Sequence, residues 1–208
     1  MKAAIDQFRE NISRVRNLDL IFKSLNTRKT STLDITDLLR AEFVLAVSAL
    51  DHFIHELVRL GMLEISQGLR QASPAFDRFT ISMNSVRQAL TLPTNYDWLD
   101  NEIRLQHSWK SFQLVDKIAD AIRLISDIKL WDEVSIALNK PIRDLKNQLN
   151  LIVDRRNKIA HEADMDPSYP GNRWPINDAL VSESVIFIEE IAETIYKIIT
   201  STLIITKR

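Results

Sequence analysis

Side chains able to transfer protons and to bind anions cluster near the end of one predicted helix. This helix covers residues 141–162 and carries Arg156, Asn157 and His161. Asn157 and His161 are four residues apart, so their side chains can meet on one helix face. Asp154, seven residues before the histidine, nearly eclipses it and could orient the imidazole. This set of groups is suited to acid–base chemistry beside an anion, in a cleft opened by the loop that follows.

The position of Arg156 among apolar residues is the second unusual feature of this helix. At about 100° per residue, one face carries an apolar stripe made of Ile142, Leu145, Leu149, Ile152, Val153 and Ala160. Arg156 falls in the middle of this stripe, where an obligate cation is costly to bury, whereas Arg155 points toward solvent. Either Arg156 extends its charged end to water or pairs with a buried carboxylate, or the cation serves a function.

The composition predicts which elements position these residues. The 208 residues include only three glycines and six prolines, fewer turn formers than an all-β fold needs, so long helices are expected. The absence of cysteine excludes disulfides and thiolate metal sites and is typical of a reducing compartment. Lys and Arg (27) nearly balance Asp and Glu (28), with a net charge of -1, unlike proteins that coat nucleic acid.

The chain is accordingly predicted to be one all-α domain over residues 1–208, a bundle of about five to seven helices. Apolar spacing and helix breakers place helices near residues 2–25, 35–65, 75–90, 99–126, 132–138, 141–162 and 177–200, with loops at 26–32 and 164–174. The last helix is apolar on more than one face, which predicts a central position or an interface. The amino terminus lacks a signal-peptide core, and no uncharged apolar run reaches about 18 residues. A cytoplasmic protein without a membrane span is therefore expected.

Two segments together resemble a known family. Residues 156–161 read Arg-Asn-Lys-Ile-Ala-His and resemble the R-x4-6-H motif of the HEPN superfamily, including the polar residue after the arginine. Residues 40–58, on the long second helix, are similar to the early helix of the RiboL-PSP type of HEPN. The resemblance spans about residues 35–199 and implies a helical bundle. It also implies a homodimeric, metal-independent endoribonuclease in which two motifs form one composite cleft.

The resemblance implies a role for each motif residue. His161 is expected to act as general base or acid at the ribose 2′-OH or the leaving 5′-oxygen. Arg156 is expected to stabilise the charge that develops on the phosphate, and Asn157 to orient the histidine or bind phosphate. His52 and His55 are three residues apart but lack a third ligand, so neither a metal site nor a cofactor is predicted.

The long second helix carries a polar strip whose role has two interpretations. The helix has a predicted core-facing apolar stripe at i, i+4, i+7, i+11 and i+14, made of Phe43, Val47, Leu50, Ile54 and Leu57. Along its edge, Ser48, Asp51 and His55 follow one another at i, i+3 and i+7. They are either edge residues bonded to each other or to Arg40, or a supporting part of the site. In the second interpretation Asp51 lies close to the cleft and pairs with Arg156.

Three residues of the 164–174 loop are candidates for RNA binding. Arg173 and Trp174, beside the motif helix, could clamp and stack on single-stranded RNA, with Tyr169 as a further contact. The same side chains could instead pack the loop onto the bundle.

Two functional hypotheses follow from the resemblance. The first is an RNA endonuclease acting as a toxin or as an effector of anti-phage or stress defence, with an antitoxin or defence-system partner. The second is a non-catalytic helical dimer that serves as a scaffold, a sensor or an antitoxin-bound partner. HEPN toxins silenced by nucleotidyltransferase antitoxins usually have a tyrosine two residues after the motif histidine. Here that position is Ala163, which argues against regulation through such a tyrosine.

Overall fold

The computed structural model describes residues 1–27 and 34–201, and within these ranges the chain folds into eight α-helices. In chain order they are α1 (Lys2–Asn26), α2 (Thr36–Ser66), α3 (Met83–Thr91), α4 (Asp97–His107), α5 (Val115–Arg123), α6 (Leu130–Leu138), α7 (Ile142–His161) and α8 (Asp178–Ser201). The only β-type pairing in these ranges is one isolated bridge between Met165 and Arg173. The all-α prediction is therefore confirmed. Among the described helices, none is long and apolar enough to cross a membrane.

Helix α2 lies at the centre of the fold and packs against α1, α4, α5, α7 and α8. Its predicted apolar stripe is buried throughout, as shown by Phe43, Val47, Leu50, Ile54 and Leu57. Burying side chains of this size is the main favourable term in folding. Helix α8 also lies in the core, which explains why its apolar residues cover more than one face.

One predicted helix is in fact two, which raises the number of helices above the expected five to seven. The stretch 99–126 is interrupted after His107, and a loop of residues 108–114 separates α4 from α5. No glycine or proline marks this break in the sequence. The Asp51 carboxylate on α2 accepts hydrogen bonds from the Phe112 amide and the Ser111 hydroxyl. A tertiary contact thus satisfies loop polar groups that a continuous helix would have paired internally.

The other predicted helix ends lie within about two residues of the observed ones, with one exception. The predicted helix 75–90 begins only at Met83, where the Ser82 hydroxyl accepts the Ser85 amide as an N-cap. Helix α7 begins one residue after Pro141, which is its N-cap. Most of the predicted loop at 26–32 lies outside the described residues.

Candidate functional site

The apolar face of α7 positions the motif at the end of the helix. Leu145, Leu149, Ile152 and Val153 are buried in the core, but the stripe ends there, because Ala160 is exposed. The half-buried Arg156 lies one turn beyond Ile152 and Val153. It therefore marks the end of the stripe rather than its middle, and the prediction that Ala160 faces the core is wrong.

Arg156 has no carboxylate partner within the described ranges. Its Nη1 donates to Oδ1 of the adjacent Asn157 at 3.0 Å, and its Nε is buried without a hydrogen-bond acceptor. The expected pairing with Asp51 is wrong, because the Asp51 carboxylate binds the 108–114 loop instead. The half-buried guanidinium thus keeps donors that an anion such as a phosphate can occupy.

His161, the last residue of α7, is exposed and has no hydrogen-bond partner in the part of the chain that the structure describes. The prediction that Asp154 orients it is wrong, because Asp154 forms an ion pair with Lys158 at 2.9 Å. Although two residues seven positions apart lie on nearly the same face of a helix, they are separated by roughly 10 Å along its axis. An aspartate cannot span that distance to an imidazole directly, whereas the i+4 lysine is within reach.

The prediction that the neighbouring Arg155 points toward solvent is wrong, because its side chain is largely buried. Its Nη2 lies 2.9 Å from Oδ2 of Asp164 and 3.2 Å from the carbonyl oxygen of Trp174. Arg40 of α2 donates to the same two oxygens, at 2.7 Å through Nε and 3.1 Å through Nη2. Burial lowers the pKa of Arg155 from its ordinary value, and the Asp164 carboxylate opposes this shift. This two-arginine clamp on Asp164 fastens the loop after α7 to α2.

The clamp depends on a backbone turn that the sequence did not reveal. Ala163 and Asp164 have φ values of 51° and 58°, in the left-handed region, which costs roughly 1–2 kcal/mol for a residue with a Cβ. The turn reverses the chain, so that the Asp164 amide donates to the Lys158 carbonyl oxygen at 3.0 Å. Asp164 then points inward and is fully buried. Left-handed turns after helices usually carry glycine, and because Ala163 and Asp164 stand here instead, nothing in the sequence signals this turn.

The loop after α7 packs onto the bundle through two of its three candidate residues. Arg173 forms ion pairs with Asp37 and Asp34 at the start of α2. The Trp174 ring is half-buried, with Lys158 Nζ 5.4 Å from its centroid. Only Tyr169 is largely exposed. The packing interpretation therefore describes Arg173 and Trp174, and RNA contact by these residues remains a prediction.

Comparison with known proteins gives a match to a family model. The model of the RiboL-PSP-HEPN family matches residues 9–201, which cover both the clamp and the motif. The chain belongs to the RiboL-PSP-HEPN family. No curated protein and no solved structure matches it.

In this HEPN chain, the polar strip on α2 is not part of the motif end of α7. The exposed Ser48 donates to the Val44 carbonyl oxygen, and His55 packs on Phe112 with ring centroids 4.3 Å apart. Both interpretations of their partners are wrong, because the strip residues bond neither to each other nor to Arg40. Asp51 lies eleven residues beyond Arg40, roughly 16 Å along the axis of α2. Burial lowers the pKa of His55, which favours its neutral form.

Within residues 1–27 and 34–201, no group of three or more histidine, aspartate or glutamate side chains is arranged to hold a metal ion. Of the three cations in the last two turns of α7, Arg156 is the one without a carboxylate partner in the described ranges.

Proposed function

We propose that this HEPN protein is a metal-independent RNA endonuclease that acts as a homodimer with a composite R-x4-H cleft. The observation that carries the proposal is the state of Arg156, a half-buried cation without a carboxylate partner in the described ranges. Leaving such a group unpaired costs stability. The cost is explained if the guanidinium is kept for a phosphate of the substrate.

In the proposed reaction, His161 removes the proton from a ribose 2′-OH, and the 2′-oxygen attacks the adjacent phosphorus. The bond from phosphorus to the 5′-oxygen breaks, and an imidazolium returns a proton to that leaving oxygen. Arg156 donates two hydrogen bonds to the phosphate as its charge increases. Asn157 holds the guanidinium in place through Oδ1. The products are a 2′,3′-cyclic phosphate and a free 5′-hydroxyl.

The homodimer gives this chemistry its second proton-transfer group. One protomer offers a single motif histidine at the end of α7, whereas the reaction needs a base and an acid. Two copies of α7 placed end to end would supply one histidine for each step. A dimer in light scattering at micromolar concentration supports this arrangement, and a monomer that cleaves RNA at full rate contradicts it.

The proposed biological role is a toxin or a defence effector held in check by an antitoxin or another partner protein. Because Ala163 lies two residues after His161, control by modification of a tyrosine at that position is not part of the proposal. Expression of the chain alone should stop bacterial growth, and His161→Ala should relieve the arrest.

A second candidate function is a non-catalytic helical dimer that acts as a scaffold or sensor. One observation favours it: His161 has no orienting partner in the described part of the chain, since Asp154 pairs with Lys158. An imidazole that rotates freely is a weaker catalyst than one held in a single orientation.

Cleavage of total RNA by the purified protein in EDTA decides between the two functions. The nuclease should leave 2′,3′-cyclic phosphate ends under these conditions, and the variant His161→Ala should not. His52→Ala is the matched control, because His52 is also an exposed histidine and lies on α2. Cleavage that requires added magnesium or manganese, or that persists in His161→Ala, contradicts the proposal.

A further inference from the structure

A cavity of about 510 Å³ lies between the 108–114 loop and α5, away from the motif. Its rim carries Trp109, whose side chain is 78% exposed. A tryptophan this exposed leaves a large apolar face in water, which is uncommon unless the face binds something. The loop is fastened to Asp51, which lies roughly 16 Å along α2 from Arg40. The cavity is thus separate from the clamp and from the end of α7.

The charges around this cavity favour an anion. Lys110 and Lys117 both line it, and Lys110 Nζ lies 5.4 Å from the centroid of the Trp109 ring. The one carboxylate in the lining, that of Asp120, forms an ion pair with Arg123. The lysines therefore have no carboxylate partner within the described ranges and are available to a phosphate.

The polar groups beneath the rim add donors and an acceptor. Helix α5 begins at Val115 without a side-chain cap, so its first amides are open to an anion. Gln113 lines the cavity and is 8% exposed, and its Oε1 has no hydrogen-bond partner. A buried carbonyl oxygen left unsatisfied is costly, and an N–H or O–H of a ligand can satisfy it. Leu114 and Leu124 complete an apolar wall.

We infer that this cavity binds one nucleotide of single-stranded RNA, with the base stacked on Trp109 and the phosphate held by Lys110 and Lys117. An indole beside two lysines provides the two contacts that single strands offer, a π-face and a phosphate. A volume of this size suits one base and its sugar. The inference rests on the proposed function, because it assigns the cavity to the RNA that the motif cleaves.

The test uses the full chain carrying His161→Ala, so that binding is measured without cleavage. A fluorescent single-stranded RNA of twelve nucleotides is titrated, and its anisotropy is recorded at several salt concentrations. Adding Trp109→Ala should weaken binding about tenfold. Adding Lys110→Ala and Lys117→Ala together should weaken binding and reduce the salt slope by about 1.4, since each phosphate contact on a single strand contributes about 0.7.

Matched controls separate this site from general effects of surface mutation. Leu90→Ala removes an apolar side chain that is 77% exposed and does not line the cavity, and Lys2→Ala removes an exposed lysine of α1. Both should bind RNA as the parent does. Trp109→Ala should melt at the parent temperature, because its ring contributes little buried area. Binding by Trp109→Ala equal to that of Leu90→Ala overturns the inference.

Two further results separate this inference from the proposed function. If the parent protein cleaves RNA but Trp109→Ala changes neither RNA binding nor KM, the nuclease proposal stands and the cavity inference is wrong. If the protein binds RNA through Trp109 but never cleaves it, the cavity inference stands and the nuclease proposal is wrong. If free AMP displaces the fluorescent RNA at concentrations equal to those of the RNA, the cavity is a mononucleotide site, and this result would also overturn the inference.

Discussion

Two consecutive arginines of α7 have opposite environments. Arg155 is largely buried, and its guanidinium binds Asp164 and two carbonyl oxygens of the following loop. Arg156 is half-buried, and its guanidinium contacts only the amide oxygen of Asn157. The Nε of each arginine is buried without an acceptor, but only Arg155 is paired with a carboxylate in the described ranges. Arg155 is therefore a structural cation, and Arg156 keeps donors for a ligand. The difference shows that burial alone does not identify a functional cation, whereas burial without a counter-ion does.

The clamp side and the motif side of α7 also differ in exposed surface. Asp164, which Arg155 and Arg40 share, is fully buried, whereas His161 lies in solvent. We therefore expect substitutions on the clamp side to change stability and those on the motif side to change activity. Substitutions at His161, Asp164 and Lys158 test that division.

The largest expected effect is on catalysis. His161→Ala should lower the rate of RNA cleavage by about 10²–10⁴, the usual contribution of a general acid or base. Because His161 is exposed and unbonded in the described ranges, the melting temperature should stay within about 1 °C of the parent. Single-turnover cleavage and a thermal melt on the same preparation measure both quantities. An active variant, or an inactive one that melts early, contradicts the assignment.

The next effect in size is on folding. Asp164→Ala leaves the guanidinium groups of Arg40 and Arg155 without their shared carboxylate, and the free energy of unfolding should fall by roughly 3–5 kcal/mol. For a chain of this length the melting temperature should fall by roughly 10 °C. Asp154→Ala is the matched control, because it removes an exposed carboxylate from the same region. Its cost should be under about 1 kcal/mol. Equal melting temperatures for the two variants would contradict the clamp.

A third prediction compares Asp164 with a buried carboxylate that lacks such cations. Glu42 of α2 is 3% exposed, and burial, followed by the nearby Asp19 and Asp178 carboxylates, raises its pKa to about 7, while Lys23 opposes the shift. The folded state then holds a proton that the unfolded state has lost, so stability falls as pH rises from about 4.5 to about 7. Glu42→Gln should abolish this loss and stabilise the protein at pH 8 by up to about 3 kcal/mol.

Chemical denaturation at pH 5 and pH 8 checks the Glu42 prediction. The advantage of Glu42→Gln over the parent should be small at pH 5 and reach its full size at pH 8. An advantage that is the same at both pH values would show that Glu42 does not titrate between them.

The smallest effect on stability is expected at Lys158 of α7. Its ammonium pairs with the exposed Asp154 and lies over the Trp174 ring. Lys158→Met keeps the aliphatic part of the side chain and should cost only about 0.5–1 kcal/mol. Urea denaturation should show this small change, and RNA cleavage should keep its parent rate. A loss of more than tenfold in cleavage would place Lys158 in the catalytic site.

The sequence predicted those features that depend on periodicity within one helix. The buried stripe of α2 follows from spacing alone. The predicted contact between Asn157 and His161 is not formed in the described ranges, where Asn157 binds Arg156 instead. The roles of three residues were predicted wrongly. Arg155 and Asp51 bind partners outside their own helices, and Asp154 lies too far along the axis of α7 to reach His161. Arg155 is buried because Asp164 turns inward through a left-handed turn. The break between α4 and α5 was missed because it is stabilised by Asp51, sixty residues before the loop.

The measurement that tests the account most directly compares Arg155→Ala with Arg156→Ala, two identical changes at adjacent positions. Thermal melting and RNA cleavage in EDTA are recorded for both variants, with Arg156→Lys as a third. Arg155→Ala should melt several degrees below the parent and still cleave RNA when assayed below its transition. Arg156→Ala should melt like the parent and be inactive, and Arg156→Lys should be inactive too, because an ammonium lacks the planar pair of donors. The reverse pattern, a destabilised Arg156→Ala that cleaves RNA normally, would contradict the account.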